Sequence, residues 1–156
     1  MQSKEKEPGP YNFHPLLHAC HLVEERLRTE LSPLVVRPRQ ARLLDALNEL
    51  ESASQVDLAR MFDISPASMS TMTGRLIKAG LINREPDEHE LRSNRLSLTD
   101  KGRDQLTSIY QAWSKMDELL VEALGVEKSE TLAANALELR NALGGRAPYS
   151  EDVESM

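Results

Sequence analysis

The sequence predicts a mainly α-helical protein with a small β-hairpin wing: a winged helix-turn-helix flanked by N- and C-terminal dimerisation helices. Three observations predict it. A short helix pair is written between Ser54 and Ala79, and two strand-like segments around a charged tip follow directly. Leu98-Thr99-Asp100-Lys101-Gly102 then restarts a helix. A helix pair alone is a common packing unit. Pair, hairpin and helix restart in this order belong to domains that send one helix into the DNA major groove and a hairpin beside it.

Each element has its own local reason. Residues 1–10 are polar, contain Pro8-Gly9-Pro10, and read as a disordered arm. Phe13, Leu16, Leu17, Cys20, Val23, Leu27 and Leu31 then recur at helical spacing, and Ser32-Pro33 breaks or kinks that helix. Pro38 opens a second helix, carrying Ala41, Leu43, Leu44 and Leu47 to about Leu50. Ser54 caps a short helix to about Phe62, with Asp57 in its first turn favouring the positive helix end. Asp63-Ile64 turn the chain. Ser65 caps the next helix, Pro66 takes its first position, and Gly80 stops it. Leu81–Glu85 and Arg95–Leu98 read as strands around the tip at Asp87–Asn94. Thr99 caps a long helix with Leu106, Ile109, Tyr110, Trp113, Met116, Leu120 and Leu124 on one face, ending at Gly125. A last helix runs from about Glu127 to Leu143. The expected organisation is therefore an arm at 1–10, dimerisation helices at 11–34 and 103–143, a DNA-binding lobe at 35–102, and a flexible acidic tail at 144–156.

Composition narrows the function. In 156 residues no apolar run reaches the roughly 18–20 needed to span a bilayer, and the N-terminus lacks an apolar signal core. One cysteine, Cys20, excludes an internal disulfide and fits a reducing, cytoplasmic setting. No catalytic constellation and no cofactor motif is present, so an enzyme is not expected. The net charge of −6 is unevenly spread. Residues 60–103 hold eight Lys/Arg against six Asp/Glu, a local +2, which leaves −8 for the rest. That balance permits binding to phosphates without arguing for it.

Within the helix pair, Leu58, Ala59, Phe62, Ile64, Met69, Met72 and Leu76 are the candidate core. Ser68, Thr71, Arg75 and Lys78 fall on the opposite stripe, with Ser65 and Ser70 beside it, and form the candidate DNA-reading face. Arg, Asn and Gln are missing from the first half of this helix. The strong bidentate pairs to guanine or adenine are therefore absent there, and Arg75, Lys78 and groove shape must carry more of the recognition. Gly74 would allow a close backbone approach to DNA. Arg95 is a further candidate contact.

Several motifs resemble the MarR family (multiple antibiotic resistance regulators) in order and spacing over about residues 13–143. Glu90-x-Arg92 followed by Leu98-Thr99-x-x-Gly102-Arg103 is similar to the family's wing signature. Arg37-Pro38-Arg39-Gln40 and Leu43-Leu44 are similar to its second-helix start. The resemblance implies a two-fold dimer binding a double-stranded, pseudo-palindromic operator, more often as repressor than activator. It also implies that Arg92 enters a minor groove while Glu90 orients it. Glu90 departs from the usual Asp, and Thr71 and Gly74 stand where many members carry Arg and Asp.

By the same resemblance, an effector pocket for small aromatic or phenolic anions is expected between the dimer helices and the DNA-binding lobe. Its candidate lining is His14, His18, Arg39, Tyr110 and Trp113. Three alternatives stay open at this point: redox sensing through Cys20, metal sensing through a His14/His18/His21/Glu25 face, or a winged module that binds protein instead of DNA. No resident metal site is expected.

Overall fold

The computed structural model describes residues 11–86 and 94–145. Six helices and a three-stranded sheet follow in chain order. They are α1 (Phe13–Leu31), a 3-10 turn at Ser32–Leu34, α2 (Pro38–Leu50), β1 (Ser52–Ser54), α3 (Gln55–Met61) and α4 (Pro66–Lys78). The wing strands β2 (Ile82–Pro86) and β3 (Asn94–Leu98) follow, then α5 (Asp100–Leu124) and α6 (Val126–Ala142).

The helix starts use the residues expected of them. Ser54 Oγ accepts from the Asp57 N–H at 3.1 Å, and Ser65 Oγ from the Ser68 N–H at 3.1 Å. Thr99 Oγ1 accepts from the Gly102 N–H at 2.9 Å and donates to the Gly80 carbonyl at 2.7 Å. Each bond satisfies a backbone group that a helix end leaves without a partner. At the start of α2, Gln40 reaches back so that its Oε1 accepts from the Arg37 N–H at 2.8 Å. Gly80 ends α4 with a φ of 73°, a left-handed conformation that glycine adopts without strain.

The sheet is larger than a hairpin. β1 pairs antiparallel with β3, which also pairs with β2, giving the order β1-β3-β2. Ala53 faces Leu96 and Ser52 faces Ser97 in the first ladder; Ile82 faces Leu98 in the second. This third strand fastens the wing to the end of α2. Arg95 secures the same edge, donating from Nε to Ser52 Oγ and from Nη2 to the Ser52 carbonyl, each at 2.9 Å.

One core holds the lobe together. Leu31, Leu43, Leu44, Leu47, Leu58, Met69, Leu76, Ile82, Leu96 and Ile109 are all essentially inaccessible and pack as a continuous cluster. At about 1.5–3 kcal/mol for each fully buried aliphatic side chain, these contacts outweigh any surface ion pair, typically worth under about 1 kcal/mol. α1 joins this core only at its C-terminal end, through Leu31 and the half-buried Leu27. Lys115 of α5 also reaches Glu30 of α1 at 2.9 Å. The N-terminal half of α1 and nearly all of α6 stay exposed in the single chain. Phe13, Leu16, Leu17, Leu22, Leu132, Leu137 and Leu139 face outward there.

Two expectations need adjustment. The helical spacing puts Cys20 on a covered apolar stripe, but in the single chain the thiol is exposed. Thr73, absent from the expected core, is fully buried on α4. Its hydroxyl donates to the Met69 carbonyl at 2.9 Å, so the helix itself satisfies the polar group.

Candidate nucleic-acid interface

α4 is set by what buries its other side. Met69, Thr73 and Leu76 point into the core at helical spacing, which turns Ser68, Thr71, Arg75 and Lys78 outward as an exposed stripe. Ser65 and Ser70 are exposed beside them. Part of the hydroxyl set is already engaged. Ser65 Oγ lies 2.9 Å from Ser68 Oγ, and Thr71 Oγ1 donates to the Ala67 carbonyl at 3.0 Å. At Gly74 nothing lies within 4 Å of where a Cβ would stand, so that part of the helix surface is open to a close approach.

The C-terminal end of α4 is tied to the next helix. Lys101 Nζ donates to the Ala79 carbonyl at 2.8 Å, beside the bond from Thr99 to Gly80. Gly102 lies so close to the Leu81 carbonyl that any side chain carbon there would overlap it. These contacts fix the angle at which α4 is presented.

A cavity of about 480 Å³ opens along one flank of α4. Its lining includes Glu24 and Arg28 of α1, Arg37 and Arg39 at the start of α2, and Ser68, Thr71 and Arg75 of α4, with Ile64 and Met72 supplying apolar wall. Arg28 is balanced by Glu25 at 2.6 Å and Glu24 at 3.4 Å. Among the described residues, no carboxylate pairs with Arg37, Arg39 or Arg75. Arg37 and Arg39 also sit at the positive end of α2, whose first turn has no acidic residue. Cations there oppose the helix dipole, and an anion between them would relieve both repulsions.

Of the five residues expected to line an effector pocket, only Arg39 borders this cavity. His14 is exposed near the N-terminus of α1, stacked edge-on against Phe13 with ring centroids 4.3 Å apart. His18 is also exposed on α1. Tyr110 donates to Asp45 Oδ1 at 2.8 Å, and Trp113 packs on the core with its ring 5.7 Å from Tyr110. The sequence expectation missed Arg28, Arg37 and Arg75 as cavity residues. Arg37-Pro38-Arg39 did carry a signal, since two arginines bracket the proline that starts a helix.

The structure gives Arg95 an internal use at Ser52. Glu90 and Arg92, assigned to the wing tip, lie outside the described residues. Among the described residues, no three His, Cys, Asp or Glu groups are placed to hold a metal ion, and the His14, His18 and His21 side chains form no such group. Among them, too, no helix is long and apolar enough to cross a membrane.

Comparison with known proteins agrees with this fold. The sequence profile of the MarR family matches residues 36–93. An HTH-type transcriptional regulator of Bacillus subtilis, YhbI, is 24% identical over 132 residues, covering 82% of this chain and 86% of that one. Among solved structures, a DNA complex of MepR from S. aureus superposes with a TM-score of 0.75 at 19% identity, covering 85% of this chain and 98% of that one. A mutant MarR from E. coli in complex with operator DNA gives 0.72 at 21% identity, over 83% and 98%. At such identities the likeness to these two structures shows the fold.

Proposed function

From the match of residues 36–93 to the MarR family profile, we propose that the chain is a homodimeric transcription repressor of that family. It binds a pseudo-palindromic operator and is released by a small aromatic or phenolic anion. One observation carries the DNA-binding part: Ser68, Thr71, Arg75 and Lys78 stand exposed on α4, held outward by a buried face and by clamps at both helix ends. Ser65 and Ser70 extend this face, and Arg92 is a further proposed DNA contact.

The unpartnered apolar faces of α1 and α6 support the dimer. Two copies related by a two-fold axis would bring two α4 helices to successive major grooves, roughly 34 Å apart. The arginine-lined cavity supports the ligand class. Arg37, Arg39 and Arg75 suit a carboxylate or phenolate, while Ile64 and Met72 suit an apolar ring. Because Arg75 belongs to both the cavity and the DNA-facing stripe, a bound anion draws on a residue the operator also needs. Release requires only that the ligand favour the DNA-free arrangement.

The test is a footprint on the DNA beside the protein's own coding region, repeated with benzoate and phenolic ligands. Protection of two half-sites, abolished on adding such a ligand, is the expected result. Binding that does not weaken with rising salt would instead favour a protein-binding module. Cys20→Ser should leave ligand release intact. Loss of a peroxide response in that variant would favour redox sensing.

A further inference from the structure

We propose that Arg84, on β2, is a phosphate contact of the DNA-binding surface and that Gln55, at the start of α3, is its positioning residue. The proposal rests on the DNA-binding reading above. Arg84 is exposed, and its Nη2 donates to Gln55 Oε1 at 2.8 Å. The same oxygen lies 3.4 Å from the hydroxyl of Thr73, which is buried inside α4. That amide oxygen thus joins the wing strand to the first helix of the pair, beside the buried face of the recognition helix.

The register explains why Arg84 reaches this point. Side chains alternate along a strand, so Arg84 shares the face of Ile82, which is buried against the helices. Asn83 and Glu85 take the opposite face. At 3.6 residues per turn, Thr73 lies roughly 140° around α4 from Ser68. The Gln55–Arg84 pair therefore borders the flank of α4 away from the arginine-lined cavity. The exposed ridge of α4 has cations on both sides.

A helix in the major groove lies between two phosphate strands across a groove about 12 Å wide. A guanidinium on each flank meets one strand each. The partner chosen for Arg84 fits that role. A carboxylate at position 55 would hold the guanidinium more tightly but cancel its charge, whereas a neutral amide orients it and leaves the full positive charge for phosphate. Among the described residues, no carboxylate pairs with Arg84.

The experiment uses the full chain, titrated by fluorescence anisotropy over a range of salt. Two labelled duplexes serve as probes, one from the DNA beside the protein's own coding region and one of scrambled sequence. Arg84→Ala is expected to weaken binding to both about equally. The slope of log K against log salt becomes shallower by about 0.9 for each phosphate that is no longer neutralised, so by about 1.8 for a dimer. Arg84→Lys keeps most of the slope. Gln55→Ala weakens binding in the wild-type background and adds nothing in the Arg84→Ala background. Gln55→Glu keeps the hydrogen bond yet flattens the slope as Arg84→Ala does, an outcome that a purely structural role for Gln55 would not produce. Helical circular dichroism on each variant confirms folding, and Arg84→Lys supplies a minimally altered side chain. A wild type that binds both duplexes while Arg84→Ala retains the full slope overturns the Arg84 assignment alone. Additive weakening by Gln55→Ala and Arg84→Ala overturns the positioning role. A wild type that binds neither duplex removes the DNA-binding reading and this proposal with it.

Discussion

Tyr110 of α5 donates its phenolic hydrogen to Asp45 of α2 and closes a contact between two helices far apart in sequence. Burial first, then the hydrogen bond to Asp45 and the charges of Asp45 and Glu49, push its pKa from 10.0 up to about 12. The folded state therefore holds this proton more tightly than the unfolded chain. The resulting stability is fully present below about pH 10 and is lost as pH rises from 10 toward 12. Phenolate absorbance should show one tyrosine titrating late, and Asp45→Asn should bring it down toward the ordinary tyrosine range. Gly74 invites a test of the opposite kind. With open space at its Cβ position, Gly74→Ala should raise stability by up to about 1 kcal/mol in denaturant melts. If the operator backbone approaches there, the same variant binds DNA more weakly. Both residues stand in the sequence, yet only Gly74 could be read there. A glycine inside a helix announces itself by its cost, whereas nothing near Tyr110 in the chain points to Asp45, 65 positions away.

Element boundaries were legible because caps and breakers are local. Ser54, Ser65, Thr99, Gly80 and Gly125 mark helix ends through bonds to residues within a few positions. β1 was not legible. Ser-Ala-Ser carries no apolar alternation and is a strand only because β3 pairs with it some forty residues later. The cavity was half-legible for the same reason, since its lining comes from three helices and only Arg39 belonged to the expected set. Where elements dock, sequence gives small residues without saying what they face. Gly102 is the clearest case, because its lack of a side chain lets α5 lie against the Leu81 carbonyl. Gly102→Ala should cost about 1–3 kcal/mol, read as a lower denaturant midpoint, and should loosen the angle of α4 as α5 moves away.

At the scale of the whole molecule, the chain is well packed at one end and unfinished at the other. The core that buries Leu43, Leu47, Leu76 and Leu96 ends near Met116, while Leu16, Leu132 and Leu137 stay exposed. Charge divides in the same way, with a small positive surplus over residues 60–103 around α4 and the excess acid in the rest of the chain. In the proposed dimer, a second copy covers those leucines and two α4 helices are presented at once. Leu132→Glu combined with Leu137→Glu should shift sedimentation from twice the 17.5 kDa chain mass to the chain mass itself. Operator binding should disappear with it, although each lobe keeps its own core.

The exposed face of α6 also bears on how much protein a cell must make. If α6 is covered only by another chain, folding and pairing share one equilibrium, and the melting temperature rises with concentration. Scanning calorimetry over a hundredfold dilution series would show this as a steady downward drift. In dilute conditions the regulator would then lose structure as well as partners, and newly made chains would be exposed to proteolysis until enough had accumulated to pair. The onset of regulation would follow a threshold in protein amount, set by the same leucines that leave the single chain incomplete.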